Sequence, residues 1–200
     1  MLDSIKQKIT CIEYIVHPTY LNYDLPLETM NLLERISDYS WIYGKDESKL
    51  FILNLGTDEG FKEFDQDLLY NEFSGNLERY NQIVSERKKL GGFLKKELTK
   101  NCSNLFIGET TKFNVTSYGS NEGVKFGCFL DNHFKKYLDK NNMLLNLENL
   151  TLIGHGTIKS ACVEEELKNL ENAIKQKYNI NSQYTFNDDT CVELFSFKNI

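Results

Sequence analysis

The sequence predicts an α/β fold: a doubly wound, mostly parallel sheet with helices on both faces. Three observations predict it. Apolar runs of strand length alternate with segments of helical periodicity. The runs are continuously apolar, as in strands buried on both faces. Glycine closes several of them, at Gly56, Gly108 and Gly154.

The elements follow in chain order. "ITCIEYIV", Ile9 to Val16, is rich in β-branched residues and ends at His17-Pro18, where proline stops a central strand. After the loop "HPTYLNYDLP", Met30, Leu33, Ile36 and Trp41 mark a helical stripe beginning near Leu27. "KLFILNLG", Lys49 to Gly56, is a second buried strand. Residues 58 to 100 carry helical spacing throughout, with breaks expected at Ser74-Gly75 and Gly91-Gly92. "NLFIG", Asn104 to Gly108, is a third strand, and "TTKFNVTSYGSNEG" a polar loop. "CFLDNHFKKYLDKNN" predicts an amphipathic helix, and "LTLIG", Leu150 to Gly154, a fourth strand. "TIKSACVEEELKNLENAIKQKYNI" is the clearest helix, with Ile158, Cys162, Leu167, Leu170, Ile174 and Tyr178 inward. "QYTF" and "CVELFSF" flank a turn at Asn187-Asp188-Asp189.

Bulk properties narrow the function classes. A chain of 200 residues reads as a single domain, 1–200, long enough to bury a core without disulfides. Two prolines and 12 glycines leave no long flexible linker. The net charge of −6 and the absence of a basic stripe argue against nucleic acid. No apolar run of membrane length and no apolar signal core occur, so no membrane partner and a cytoplasmic location are expected. Five cysteines at 11, 102, 128, 162 and 191 form no CxxC pair and no zinc spacing, so reduced thiols and no metal are expected. No fingerprint calls for a cofactor. "GHGTIKSA" lacks the third spaced glycine of a dinucleotide turn and has no Walker lysine.

Doubly wound sheets bind ligands beyond the carboxyl ends of their strands. That places the search at His17, Gly56 to Glu59, Gly108 to Lys112 and Gly154 to Cys162. Cys162 stands in the first turns of a predicted helix. Unpaired N–H groups and the positive dipole end favour thiolate there. The competing reading is a small core residue on the inner face beside Ile158. Gly154 and Gly156 permit a tight strand-to-helix passage or a phosphate cradle. His155, between them, could face the cleft as a base near neutral pH. Tyr20, Tyr23 and Tyr118 lie on candidate cleft loops and could wall a flat substrate. His133 reads as a surface residue, and Asp188 and Asp189 as a turn.

Three features taken together resemble the isochorismatase-like cysteine hydrolases, a family that includes nicotinamidases. They are "TTKFNVTSYGSN", a short helix, and "LTLIGHGTIKSACVEEELKNLENAI". The resemblance implies a three-layer sandwich, a small-molecule amide or related C–N bond as substrate, and homo-oligomers. It implies Cys162, followed by Val163, as nucleophile, with Gly156 as the glycine ending the preceding strand. Lys112 would be the lysine that steadies thiolate and oxyanion. The family's aspartate falls at the end of the first strand, where this chain has His17. Lys159 stands where the family usually has threonine. The departure at His17 leaves three readings. His17 replaces the carboxylate as base; Asp24 reaches back from the loop; or the chain is a non-catalytic scaffold that binds a small ligand or serves as an oligomer subunit. The expected binding residues are Gly156, His155, Tyr20 and Tyr118.

Overall fold

The computed structural model describes residues 6–19, 26–55, 76–108, 134–146, 148–157, 159–179 and 182–192. Its strands are β1 (Gln7–Ile9), β2 (Cys11–Val16), β3 (Lys49–Asn54), β4 (Leu105–Gly108), β5 (Met143–Leu145), β6 (Leu150–Thr157) and β7 (Ser182–Val192). Its helices are α1 (Pro26–Tyr43), α2 (Leu77–Asn101), α3 (Lys135–Lys140) and α4 (Glu164–Tyr178). A π-helical turn, Lys159–Val163, precedes α4.

The main sheet is parallel throughout, in the order β4-β3-β2-β6-β7, and β1 pairs with β5 beside it. Side chains alternate across β2, as strand geometry requires. Ile15 packs with Leu32, Leu33 and Ile36 of α1 and Leu94 and Leu98 of α2. Ile12, Tyr14 and Val16 pack on the other face with Leu138 of α3 and with Leu167, Leu170 and Ile174 of α4. The sheet is doubly wound, with helices on both faces as the apolar strands predict.

Several elements depart from expectation. The first apolar run divides at Thr10, and Ile9 joins the preceding Gln7 and Lys8 in pairing with "MLL" of β5. Trp41 is 72% exposed, so α1 buries Leu32, Leu33 and Ile36 and leaves its C-terminal apolar residues outside. The helix α2 runs unbroken through Gly91-Gly92. A Cβ at Gly91 would meet Leu55 Cδ1 at 3.3 Å, so that glycine brings the helix close to the end of β3. The fourth strand does not stop at Gly154 but continues through His155 and Gly156 to Thr157. The expected turn at Asn187–Asp189 is a bulge inside the single strand β7. Gly154 pairs with Phe186 and Gly156 with Cys191, so the intervening residues bow outward. The breaks expected at Ser74-Gly75 and the helix expected over 58–75 lie outside the described residues.

Candidate active site

The sheet's strand order reverses between β2 and β6, the kind of place where α/β folds bind ligands. The first and fourth predicted strands are thus neighbours, with Val16 paired to Gly156. Gly156 has φ +135°, and a Cβ there would lie 2.0 Å from the Val16 carbonyl oxygen. Only glycine lets the two strands meet this closely. Gly154 serves a different contact. Its missing Cβ makes room for Val163 Cγ1 and Leu167 Cδ1, which would approach to 2.7 and 2.5 Å. Side chains of this chain fill the space that a phosphate cradle at Gly154 would need.

Three strand ends are stitched together at His17. Its N–H donates to the Asn54 carbonyl at 2.9 Å, and its own carbonyl accepts from Thr157 Oγ1 at 2.7 Å. The residue adopts φ +41°, is 3% exposed, and has its imidazole pushed down to about 4 by burial. His17 is therefore neutral at pH 7, and a positive ring there costs desolvation energy.

From Thr157 the chain enters the π turn that carries Cys162. Such turns are rare and recur at functional sites. Cys162 is half-buried and packs against the core between the sheet and α4. One turn later, Glu166 accepts a hydrogen bond from the Tyr14 hydroxyl at 2.9 Å. That hydroxyl accepts in turn from Asn54 Nδ2 at 3.1 Å. Tyr14 and Asn54 are both buried, so this chain of bonds runs beneath α4 to the carboxyl end of β3. Lys112, Tyr20, Tyr118 and Gly56 to Glu59 lie outside the described residues, as do Asp24, Tyr23, Cys128 and His133.

A second constellation sits on the opposite face, under α1. Glu13, in the middle of β2 and 0% exposed, binds Lys49 Nζ at 2.5 Å, the Tyr39 hydroxyl at 3.0 Å and His155 Nε2 at 2.8 Å. His155 Nδ1 lies 2.6 Å from Thr190 Oγ1, in the β7 bulge. Burial alone raises the Glu13 carboxyl, but the bonds and charges of His155 and Lys49 outweigh it and leave it below the usual carboxylate range. Burial lowers Lys49, and the Glu13 bond more than restores it, so its ammonium titrates above the normal lysine value. Burial, followed by the Glu13 charge, pushes the Tyr39 hydroxyl up to about 12.

Hydroxyl, imidazole and carboxylate stand here in the order of a nucleophile relay. Yet Thr190 and His155 are each 1% exposed, so no substrate reaches the hydroxyl. The chemistry left to this cluster is to join β3, β2, β6 and β7 by charge-assisted bonds. His155 therefore stands inside the sheet, bonded on both ring nitrogens. The sequence marks Glu13 only as a carboxylate within an apolar strand; a buried charge of that kind is paired. Glu166 is equally inconspicuous, one of three glutamates in a first turn where a helix dipole favours acidic residues.

Among the described residues, no group of His, Cys, Asp and Glu side chains is arranged to hold a metal ion. No helix of the described residues is long and apolar enough to cross a membrane. Comparison of the chain with protein-family models, curated proteins and solved structures returns no match.

Proposed function

We propose that the chain is a cysteine-dependent hydrolase of a small amide or related C–N bond, with Cys162 as nucleophile. The observation that supports this most is the position of the thiol. It lies in the π turn that follows β6, one of the two strands at the switch point, at the start of a helix. Main-chain N–H groups of that turn favour thiolate and offer donors to an oxyanion. The resemblance to isochorismatase-like hydrolases supplies the rest, including Lys112 as the cation beside the sulfur.

The thiolate attacks the carbonyl carbon and forms the S–C bond. The thiol proton passes to a nearby base; His17 is the one the sequence offers, but its burial disfavours the charged ring. The C–N bond breaks as the proton is returned to the leaving nitrogen. Water then cleaves the thioester, releasing the acid and restoring the thiol.

Alkylation by iodoacetamide at pH 6 tests the reading, with each cysteine followed by peptide mass. Burial pushes the Cys11 and Cys102 thiols up to about 12, so these two are internal controls. Cys162 is expected to react at least about tenfold faster than a free thiol of pKa near 8.5. Labelling no faster than the free thiol overturns the hydrolase and leaves the scaffold reading.

A further inference from the structure

We propose that Glu166 is the carboxylate of the Cys162 site, held by Tyr14 and Asn54, and that it receives the thiol proton in place of the aspartate the chain lacks. This rests on the hydrolase reading above.

Helix geometry comes first. Residues four apart stand one above the other, with Cβ atoms roughly 5–6 Å apart. Val163 and Leu167 sit over Gly154 of β6. Glu166 instead reaches Tyr14 of β2, so its flank of the helix faces the β2 side. Val163 of the π turn and Leu167 of α4, four residues apart, meet the same point above Gly154, so the stacking carries across the junction, and Cys162 and Glu166, each one residue earlier, share the next flank. It is the strand end of β2 that carries His17.

The second consideration is what holds the carboxylate. Glu166 is half-buried, and its partner Tyr14 is fully buried within the core. A phenol in that position needs a polar partner for its hydroxyl. Here it donates to Glu166 and accepts from buried Asn54. Two buried residues from two strands thus fix one acidic side chain of α4. Glu164, one of its neighbours in the first turn, instead pairs with Lys168 along the helix surface.

Charge decides between the candidate bases. Moving a proton from thiol to imidazole separates a positive ring from a negative sulfur. His17 is buried and resists the positive form. Moving the proton to a carboxylate only transfers the negative charge from oxygen to sulfur, and creates none. Between half-buried side chains the second transfer is the cheaper one. The proton on the Glu166 oxygen then goes to the leaving nitrogen as the C–N bond breaks. In the second half, Glu166 takes a proton from the attacking water, the S–C bond breaks, and the thiolate regains that proton.

The test uses p-nitrophenyl acetate as an acylating probe, whose leaving group needs no proton. Wild-type protein, Glu166→Gln and Tyr14→Phe are each followed by p-nitrophenolate release and by mass of the Cys162 peptide. Wild type is expected to acylate at Cys162 and turn over. Glu166→Gln is expected to acylate at Cys162 more slowly below the thiol pKa, where the proton has lost its acceptor, and to hydrolyse the thioester about a hundredfold more slowly, the usual loss for a missing general base. The acetylated peptide then accumulates. Tyr14→Phe is expected to keep turnover while its acidic limb moves to higher pH, because the anionic carboxylate loses a donor. That shift is independent of any change in folding yield. Equal thioester hydrolysis in wild type and Glu166→Gln overturns the role of Glu166 and leaves the hydrolase standing. No acylation of wild-type Cys162, or an adduct that wild type never hydrolyses, overturns both.

Discussion

Glu13 is the residue on which the buried charges of the α1 face converge. Its carboxylate has no contact with water, and Lys49 and His155 compensate that loss from two neighbouring strands. Breaking such a pair from one side strands the remaining charge, which costs about 3–5 kcal/mol. Glu13→Gln is therefore expected to lower unfolding free energy at pH 7 by about 3 kcal/mol in urea titrations. Lys49→Met should cost less, since Lys49 keeps 16% of its side chain in solvent and Glu13 retains His155. A loss below about 1 kcal/mol for Glu13→Gln would mean that the cluster contributes no more than an exposed pair. The cluster was half legible in the sequence. His155 stood out between two glycines, but its carboxylate partner lies 142 residues away, and no local pattern links them. The glycines were legible as tight places, without the contact each one makes.

At the scale of elements, periodicity revealed helices and strands better than it revealed their ends. Gly91-Gly92 reads as a break because each glycine costs a helix about 1 kcal/mol relative to alanine. The helix survives because Leu94 and Leu98 are buried beneath it, and tertiary packing outweighs propensity. The two glycines then differ in kind. A Cβ at Gly92 meets nothing within 4 Å, whereas one at Gly91 presses on Leu55. Gly92→Ala is expected to stabilise by about 1 kcal/mol and raise Tm by about 2–4 °C, measured by calorimetry. No gain there would mean that α2 needs a flexible point. The bulge in β7 looks like a turn in the sequence for a related reason. "NDD" is turn chemistry, but the Thr190–His155 bond and the resumed pairing of Cys191 with Gly156 return the chain to the same sheet edge. Turn residues signal departure from regular pairing; they carry no information on whether the strand resumes.

For the whole molecule, the α/β architecture was legible because burial on both sheet faces forces continuous apolar strands. The site was less so, since it is made by β2, β3, the π turn and α4 meeting at one edge. That meeting also sets how stability depends on pH. His17 closes the junction of three strand ends in neutral form, with its pKa depressed to about 4 from an unfolded value near 6.5. Above pH 6.5 both states are neutral, and the junction contributes its full stability. As pH falls below 6.5 the unfolded chain binds the proton first, so stability is lost by about 1.4 kcal/mol per pH unit. The loss ends near pH 4, where the folded ring also protonates, and totals about 3 kcal/mol. Glu13 adds a later loss. Its folded carboxyl lies below the ordinary range, so its contribution is present above about pH 4.3 and fades as pH drops through the folded value. Urea titrations from pH 7.5 to about 3 should thus show a plateau, then a decline beginning near pH 6.5. His17→Asn, a residue at ease with positive φ, should flatten that decline while leaving the drop below about pH 4.3 in place. An unaltered decline in this variant would assign the acid sensitivity to other groups and leave His17 exposed enough to protonate.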